Sequence, residues 1–333
     1  MTKKQKLLVG LLSFLVLLLI LILIIAPKVN TVEMPKTDDE LGISKIEDKD
    51  MSEEEKETYI KQLEGVEHIL LIGIDGDDYK NARSDVMIIA TIDHDNTILK
   101  LTSVMRDTYV QLPTSESFQK LNHSYSLGGP VETVKAINKN LDLNIKEFVT
   151  FNYTALKEAV DFIGGFPVYV NSGEAKDMNI TEGSHNLFGD NALNYVRVRK
   201  NSGGDPGRNE RQRELILYIM NQTKKMSKGE LLKFAQKMVP LVETSYSYKD
   251  IEELVDLFFV VKNDIEIEQY SFPTQYFGGV LSDRLWYAVP KNLEHNVREL
   301  HASLYGPDSI YVPSMTLQEL NNIIEFRTGV KIN

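Results

Sequence analysis

Four short stretches hold charged residues at spacings a purely structural chain would not require. GIDGDDYKNARSD places Asp75 after an apolar run and Arg83 and Asp85 at the start of the next. SVMRDTYVQLP sets Arg106 and Asp107 directly behind another apolar run, and KLNHSYSLGG offers Asn122, His123 and the Gly128–Gly129 pair. The fourth, YVRVRKNSGGDPGRNERQR, crowds Arg197, Arg199, Lys200, Arg208, Arg211 and Arg213 into residues 195–213 of a chain whose net charge is −11. Two carboxylates beside a phosphate suit a hard divalent cation, which takes oxygen ligands and keeps waters and phosphate oxygens in its shell. Arginine forks suit the phosphate itself.

The helix predicted for residues 208–226 sharpens the point. Asp205 stands in a favourable N-cap position and Pro206 in the first turn, where a missing N–H costs nothing. Arg208, Arg211 and Gln212 fall at i, i+3 and i+4, on one face near the helix N-terminus. Positive charge there opposes the helix dipole by about 0.3–1 kcal/mol per exposed residue, so stability does not explain it, whereas a bound anion does. Arg197 and Arg199 share a face only in extended backbone.

The elements that must position these groups are legible as apolar runs. HILLIGID (68–75), SDVMIIATID (84–93), ILKLTSVMRD (98–107), KEFVTFN (146–152), FPVYV (166–170) and IEIEQYSF (265–272) read as strands, with 84–93 and 98–107 as neighbours or a hairpin. Helices are predicted over 131–141, 153–163, 190–196, 208–226, 228–240 and 249–261. Interleaved strands and helices imply an α/β fold, a mixed central sheet flanked by helices on both faces. Charged residues at strand ends then have a geometric reason to converge, because open α/β sheets bind ligands there.

Composition removes several alternatives. The chain has 333 residues, 42% of them hydrophobic, and no cysteine, which excludes disulfides, thiolate catalysis and zinc–thiolate centres. Net acidity argues against nucleic acid as a partner. No phosphate-binding Gly-x-x-x-x-Gly-Lys-Ser/Thr loop, nucleophile elbow or metal-spaced histidine set is present.

At the N-terminus, Lys3, Lys4 and Lys6 precede an uncharged run at 7–26. About 20 residues at ~1.5 Å each cross a bilayer core of about 30 Å. The lysines mark residues 1–6 as cytoplasmic and place the remainder outside. Residues 27–66, rich in Asp, Glu and Lys, read as a solvated stem, with a capping box at Ser52 and Glu55. The globular domain is expected over 67–305, and 306–333 as a tail element of unassigned role.

LLIGID, ARSDVMIIATID, SVMRDTYVQLP, KLNHSYSLGG, DFIGGFPVYV, ALNYVRVRK and GGDPGRNERQRELI, in this order, closely resemble the LytR-CpsA-Psr family, strongly over 68–215 and more loosely to about 305. The resemblance implies a single such domain, anchored in a bacterial cell membrane of Gram-positive type by one transmembrane helix. It implies a phosphotransferase that moves a glycopolymer, such as wall teichoic acid or capsular polysaccharide, from an undecaprenyl-pyrophosphate carrier to peptidoglycan through a phosphodiester. Carried onto this sequence, Asp75 and Asp85 hold Mg2+ or Mn2+, and Arg83, Arg106, Arg197, Arg199, Arg208, Arg211 and Gln212 hold the pyrophosphate. Arg83, Asp85, Arg106, Asp205 and Arg208 form the catalytic set, Asp205 orienting the others. The acceptor's base is Asp75 or a metal-bound group. A hydrophobic pocket for the polyprenyl chain is implied, lined around 131–170. Two departures from the family pattern are the short loop between Asp75 and Asp85, and Pro206 where an aromatic residue is expected. The same residues would serve a polyprenyl-pyrophosphate hydrolase, and a non-catalytic lipid-phosphate sensor or transcriptional attenuator is the remaining alternative.

Overall fold

The buried apolar residues of β2 (Val66–Ile74) alternate between two environments: Ile69 and Leu71 face one core, Leu70, Ile72 and Ile74 the other. A strand buried on both faces loses polar alternation and reads as a continuous run, which is why this segment stood out. The computed structural model describes residues 30–44, 51–76, 78–80, 82–93, 95–96, 98–238, 241–246 and 266–331. The apolar run 7–26, residues 1–6 and the helix expected at 249–261 lie outside them. Among the described residues no helix is long and apolar enough to cross a membrane.

The chain opens with β1 (Asn30–Thr31) and helix α1 (Glu53–Glu64), then β2, β3 (Ser84–Asp93) and β4 (Ile98–Val104). A small ribbon follows, β5 (Tyr109–Gln111) and β6 (Phe118–Lys120), before helix α2 (His123–Leu141), β7 (Glu147–Phe151) and helix α3 (Tyr153–Phe162). A second ribbon, β8 (Phe166–Val170) with β9 (Gly183–Leu187), encloses α4 (Ser172–Met178). Helices α5 (Gly189–Tyr195), α6 (Gly204–Lys225) and α7 (Lys228–Met238) precede β10 (Val242–Thr244) and β11 (Glu266–Phe272). The hairpin β12 (Tyr276–Val280) and β13 (Trp286–Pro290) leads to α8 (Leu293–Tyr305) and α9 (Met315–Thr328).

Seven strands form the central sheet in the order β1-β10-β7-β2-β3-β4-β11. The sheet is mixed: β2 is antiparallel to β3 and parallel to β7, β3 and β4 are antiparallel, and β4 and β11 parallel. One face packs against α3, α5, α6 and α7 through residues such as Ala159, Leu193, Leu215 and Phe234. The other packs against α2, α8 and α9 through Val134, Ile137, Val297, Leu300, Leu317 and Leu320. The expected mixed sheet with helices on both faces is what forms.

Both segments that flank the expected 67–305 domain pack against it. Of residues 27–66, read as a solvated stem, those described pack onto the domain. Thr31 pairs with Thr244, Leu41 is buried in the second core, and Asn138 Nδ2 donates to the Leu41 carbonyl at 3.0 Å. The capping box of α1 forms as expected between Ser52 and Glu55, yet this helix buries Tyr59 and ties Gln62 to Ile310. A few apolar residues suffice because the domain supplies a sheet edge and a receiving groove. The tail is equally integral: Leu317, Leu320 and Ile324 of α9 are buried, and Asn321 Oδ1 accepts from Leu293 N at 2.8 Å.

Candidate active site

β2, β4 and β7 point their C-terminal ends the same way, and the charged stretches collect there. Asp75 follows β2 directly; its Oδ1 accepts from Arg83 N at 2.6 Å and its N–H donates to the Arg83 carbonyl at 3.0 Å. The short loop is thereby closed at its base, leaving Asp75 and Arg83 exposed. Asp85, one residue into β3, pairs through Oδ1 with Arg106 Nη1. Arg106 Nε also reaches Asp107 Oδ2 at 3.3 Å, and Lys120 Nζ binds the other Asp107 oxygen at 2.8 Å. The chain after β4 is held further by Asn122 N, which donates to the Arg106 carbonyl at 3.0 Å.

Tyr153 joins these groups to the basic run. It is the first residue of α3, capped by Asn152 Oδ1 accepting from Ala155 N at 2.7 Å, and so stands at the end of β7 beside β2. Its hydroxyl donates to Asp85 Oδ2 at 3.3 Å, and the Arg197 guanidinium lies 4.7 Å from its ring centroid. Burial, and then the charge of Asp85, push the phenol well above its ordinary range, so it stays protonated and remains a donor. Asp75 adds to that upward push. Sequence reasoning took Tyr153 only as the start of a helix; its position directly after a strand end was the available signal.

The basic run divides in two. After α5 the chain turns through 196–203, with Arg197 exposed and Arg199 half-buried. Arg211 points back into that turn: Nε donates to the Tyr195 carbonyl at 2.9 Å, Nη1 to the Ser202 carbonyl at 2.9 Å, and Nη2 to the Val198 carbonyl. Nη1 also meets Glu174 Oε1 at 3.3 Å, and both side chains are buried. Expected on the pyrophosphate, Arg211 is instead occupied by the protein, bracing the turn that presents Arg197. Arg208 is buried at 1% exposure, one helical turn before Gln212 on the same face. The helix also starts earlier than expected: Gly203, at φ 85°, is the N-cap in place of Asp205, and Pro206 still falls in the first turn. The Asp205 side chain lies outside what the structure describes.

Gln212, Asn152, Tyr153 and Arg197 are the polar residues lining a narrow cleft otherwise walled by apolar residues, among them Val86, Phe151, Leu156, Leu215 and Ile216. It lies between the sheet and helices α3 and α6, and holds about 20 Å³. Of the segments expected to line a lipid pocket, 151–156 are here, whereas 131–141 of α2 pack on the opposite face of the sheet.

A divalent ion can be tested against these groups. Asp75 is exposed and has one oxygen engaged by a backbone N–H, and Asp85 meets Arg106 and Tyr153. Among the described residues there is no group of three or more acidic or histidine side chains suited to a metal. Two hard oxygen donors fit an ion that takes its remaining ligands from water and substrate phosphate. The donor set therefore suits Mg2+ or Mn2+ bound together with a pyrophosphate.

A mixed three-layer α/β domain with an arginine–carboxylate cluster at the strand ends defines the class of the protein. The chain belongs to the LytR_cpsA_psr family, whose model matches residues 39–301. It is 30% identical over 268 residues to the polyisoprenyl-teichoic acid–peptidoglycan teichoic acid transferase TagU of Oceanobacillus iheyensis, covering 76% of this chain and 80% of that one. TagV of Bacillus subtilis, a transferase of the same description, is 34% identical over 193 residues, 53% of this chain and 49% of TagV. Among solved structures, TagT bound to LIIa-WTA superposes with a TM-score of 0.58 at 26% identity, over 73% of this chain and 92% of that one. Protein gbs0355 of Streptococcus agalactiae shares the fold, with a TM-score of 0.63 at 24% identity over 80% of this chain and 93% of its own.

Proposed function

We propose that this protein is a membrane-anchored phosphotransferase that moves an anionic glycopolymer of the wall teichoic acid kind from an undecaprenyl-pyrophosphate carrier to peptidoglycan. The observation that carries the proposal is the linked set Arg106–Asp85–Tyr153–Arg197 at the strand ends, in a chain of this family. The names of the relatives supply the substrate class; the site supplies the chemistry.

A pyrophosphate diester brings about two negative charges, and more negative charge collects on the leaving lipid phosphate as the bond breaks. Arg106 and Arg197, with exposed Arg83 beside Asp75, meet that charge as it develops. They are held in place beforehand, Arg106 by Asp85 and Asp107 and Arg197 by the Tyr153 ring, so little reorganisation accompanies the reaction. Protonated Tyr153 turns its single O–H from Asp85 Oδ2 to a phosphate oxygen when substrate is bound. Asp75 and Asp85 would hold Mg2+ or Mn2+, which supplies fixed positive charge to the phosphate oxygens. Asp75, exposed and with Oδ1 accepting from Arg83 N, takes the proton of the sugar hydroxyl that attacks the phosphorus. Arg199, Arg208, Gln212 and Asp205 extend the cradle along the turn and α6.

The cleft behind Tyr153 and Gln212 receives the first isoprene units of the carrier. At about 20 Å³ it is far smaller than a polyprenyl chain, so α3 and α6 must part from the sheet as lipid enters. The uncharged run at 7–26 anchors the domain on the outer side of the cytoplasmic membrane.

The test is transfer by the full chain in membranes, read as release of undecaprenyl phosphate together with label on peptidoglycan. A charge-assisted hydrogen bond contributes about 1.5–3 kcal/mol, so Arg106→Ala slows transfer at least roughly tenfold. Wild-type rates in a folded Arg106→Ala protein refute the cradle. Lipid release without attachment, with acceptor present, identifies a hydrolase instead.

A further inference from the structure

Two features outside the site share its end of the sheet. The first is the point where the chain enters the domain. β1 runs parallel to β10 with Asn30 opposite Glu243, and stepping back from Thr31 to Asn30 moves towards Val242, which pairs with Phe151 at the end of β7. Tyr153 is two residues further. The uncharged run ends at Ala26, so four residues lead to Asn30, a span of at most roughly 14 Å even fully extended. β1 thus ties the site-bearing end of the sheet to the segment that Proposed function places in the membrane.

The second feature is the β12–β13 hairpin. β11 ends at Phe272, opposite Val104 and thus beside the Arg106 segment, and the hairpin starts four residues on. Ala288 N donates to the Asp107 carbonyl at 2.9 Å, fixing the hairpin to the chain that carries Arg106. Val280, beside its turn, is 63% exposed and Leu285, in the turn, 46%; Phe277, 44% exposed, lies near the base of the hairpin opposite Val289. Trp286, the chain's only tryptophan, pairs with Val280, and its ring lies over Gly278, where an added Cβ would come within 2.9 Å. Arg284 sits in the turn at φ 66°. Leu127, 44% exposed, lies on α2 close to the N-terminal residues held at Arg106. Single exposed leucines are ordinary. Val280 and Leu285 at one turn, next to Trp286 and Arg284, with the Asp283 carboxylate held by Leu285 N and the Tyr287 hydroxyl, instead have the composition of an interfacial anchor, where aromatic rings lie at headgroup level and long cations reach back to the phosphates.

We propose that the site-bearing end of the sheet rests on the lipid bilayer, and that the 276–290 hairpin is a second membrane contact whose Val280 and Leu285 enter the interface. This rests on the membrane anchoring in Proposed function and deepens it. The occupant is lipid rather than a second protein because the tether ends at this same end of the sheet and is too short to hold it far from the surface. The arrangement also suits the substrate: a pyrophosphate on a membrane lipid stays at headgroup level, and the Arg106 cluster then meets it there without the carrier leaving the bilayer.

The lone tryptophan provides the measurement. The full chain is reconstituted in phosphatidylglycerol–phosphatidylcholine vesicles, and Trp286 emission is compared with and without lipids carrying a nitroxide high on the acyl chain. The expected result is a blue-shifted emission that loses its larger part to the nitroxide. In Val280→Asp/Leu285→Asp the quenching disappears although the protein still sediments with the vesicles; both positions are exposed, and an unchanged far-ultraviolet spectrum establishes that the variant folds. Wild-type protein that sediments with vesicles but is not quenched overturns the hairpin contact and leaves the anchor standing. A blue shift without quenching shows the ring shielded by protein rather than lipid and overturns it as well. Failure to sediment removes the membrane anchor itself, and the hairpin proposal with it.

Discussion

Arg211→Met separates two roles that the sequence alone could not distinguish. As a pyrophosphate ligand, Arg211 would be expendable for folding. As the brace of the 196–203 turn, it is not. The substitution takes the Arg211 donors from the buried carbonyls of Tyr195 and Ser202 and the half-buried carbonyl of Val198, and strips Glu174 of its cationic partner. Each abandoned buried acceptor costs about 1–3 kcal/mol. Removing one partner of a buried ion pair costs about 3–5 kcal/mol, because the remaining charge is uncompensated. These overlap rather than add, since the turn relaxes once freed, so about 3–5 kcal/mol is the expected loss, a large part of a typical 5–15 kcal/mol stability. The midpoint of thermal unfolding falls by roughly 10 °C. Arg211→Lys recovers only part, because an ammonium lacks the fork that reaches three carbonyls from one centre. Glu174→Gln combined with Arg211→Met recovers part by another route, removing the stranded charge. Equilibrium unfolding followed by Trp286 fluorescence measures all three. A folded Arg211→Met protein with the wild-type midpoint and abolished transfer refutes the brace and restores Arg211 to the pyrophosphate.

Further expectations concern the site and its surroundings. Asp85→Asn abolishes both the divalent-ion dependence and most of the transfer, and unchanged ion titration curves in a folded variant contradict the assignment. Tyr153→Phe keeps the ring beneath Arg197 but removes the donor; with a hydrogen bond to a charged group contributing about 1.5–3 kcal/mol, transfer falls by roughly tenfold or more at unchanged thermal stability. If the rate is unchanged, the hydroxyl has no part in the reaction. Away from the site, burial and then Glu147 raise the Glu67 carboxyl from 4.5 to about 7. A raised carboxyl favours the protonated folded state, so its contribution is complete below 4.5 and is lost as pH rises through about 7. Thermal melts across that window fall with pH in the wild type and flatten in Glu67→Gln; parallel curves contradict the burial argument.

Much of the site was legible because its residues follow apolar runs. Asp75, Asp85 and Arg106 each sit at a boundary between a buried strand and a loop, where charge has no structural excuse, and the structure links Asp85 to Arg106 directly. Tyr153 was missed because a tyrosine opening an amphipathic helix looks like core; only the β2–β7 pairing brings it beside Asp85. The reverse holds for Arg211. Its spacing from Arg208 and Gln212 gave it the same face, but facing together does not say what a side chain meets. The acidic composition of 30–66 likewise concealed the few residues, Leu41 and Tyr59 among them, that dock the segment.

The sequence by itself determined the local and compositional facts: strands buried on both faces, amphipathic helices between them, the exclusion of cysteine chemistry, and charge concentrated at strand ends. These depend on neighbours a few residues apart, for which periodicity is a sufficient record. Only the tertiary structure decided the strand order, with β10 and β1 joining the edge beyond β7 and β11 the opposite edge. It alone divided the basic run into Arg197 at the rim and Arg211 in the brace. Pairings across tens to hundreds of residues are chosen by global packing, and an arginine's partners are whatever carbonyls and carboxylates that packing delivers to it, so neither leaves a periodic trace in the chain.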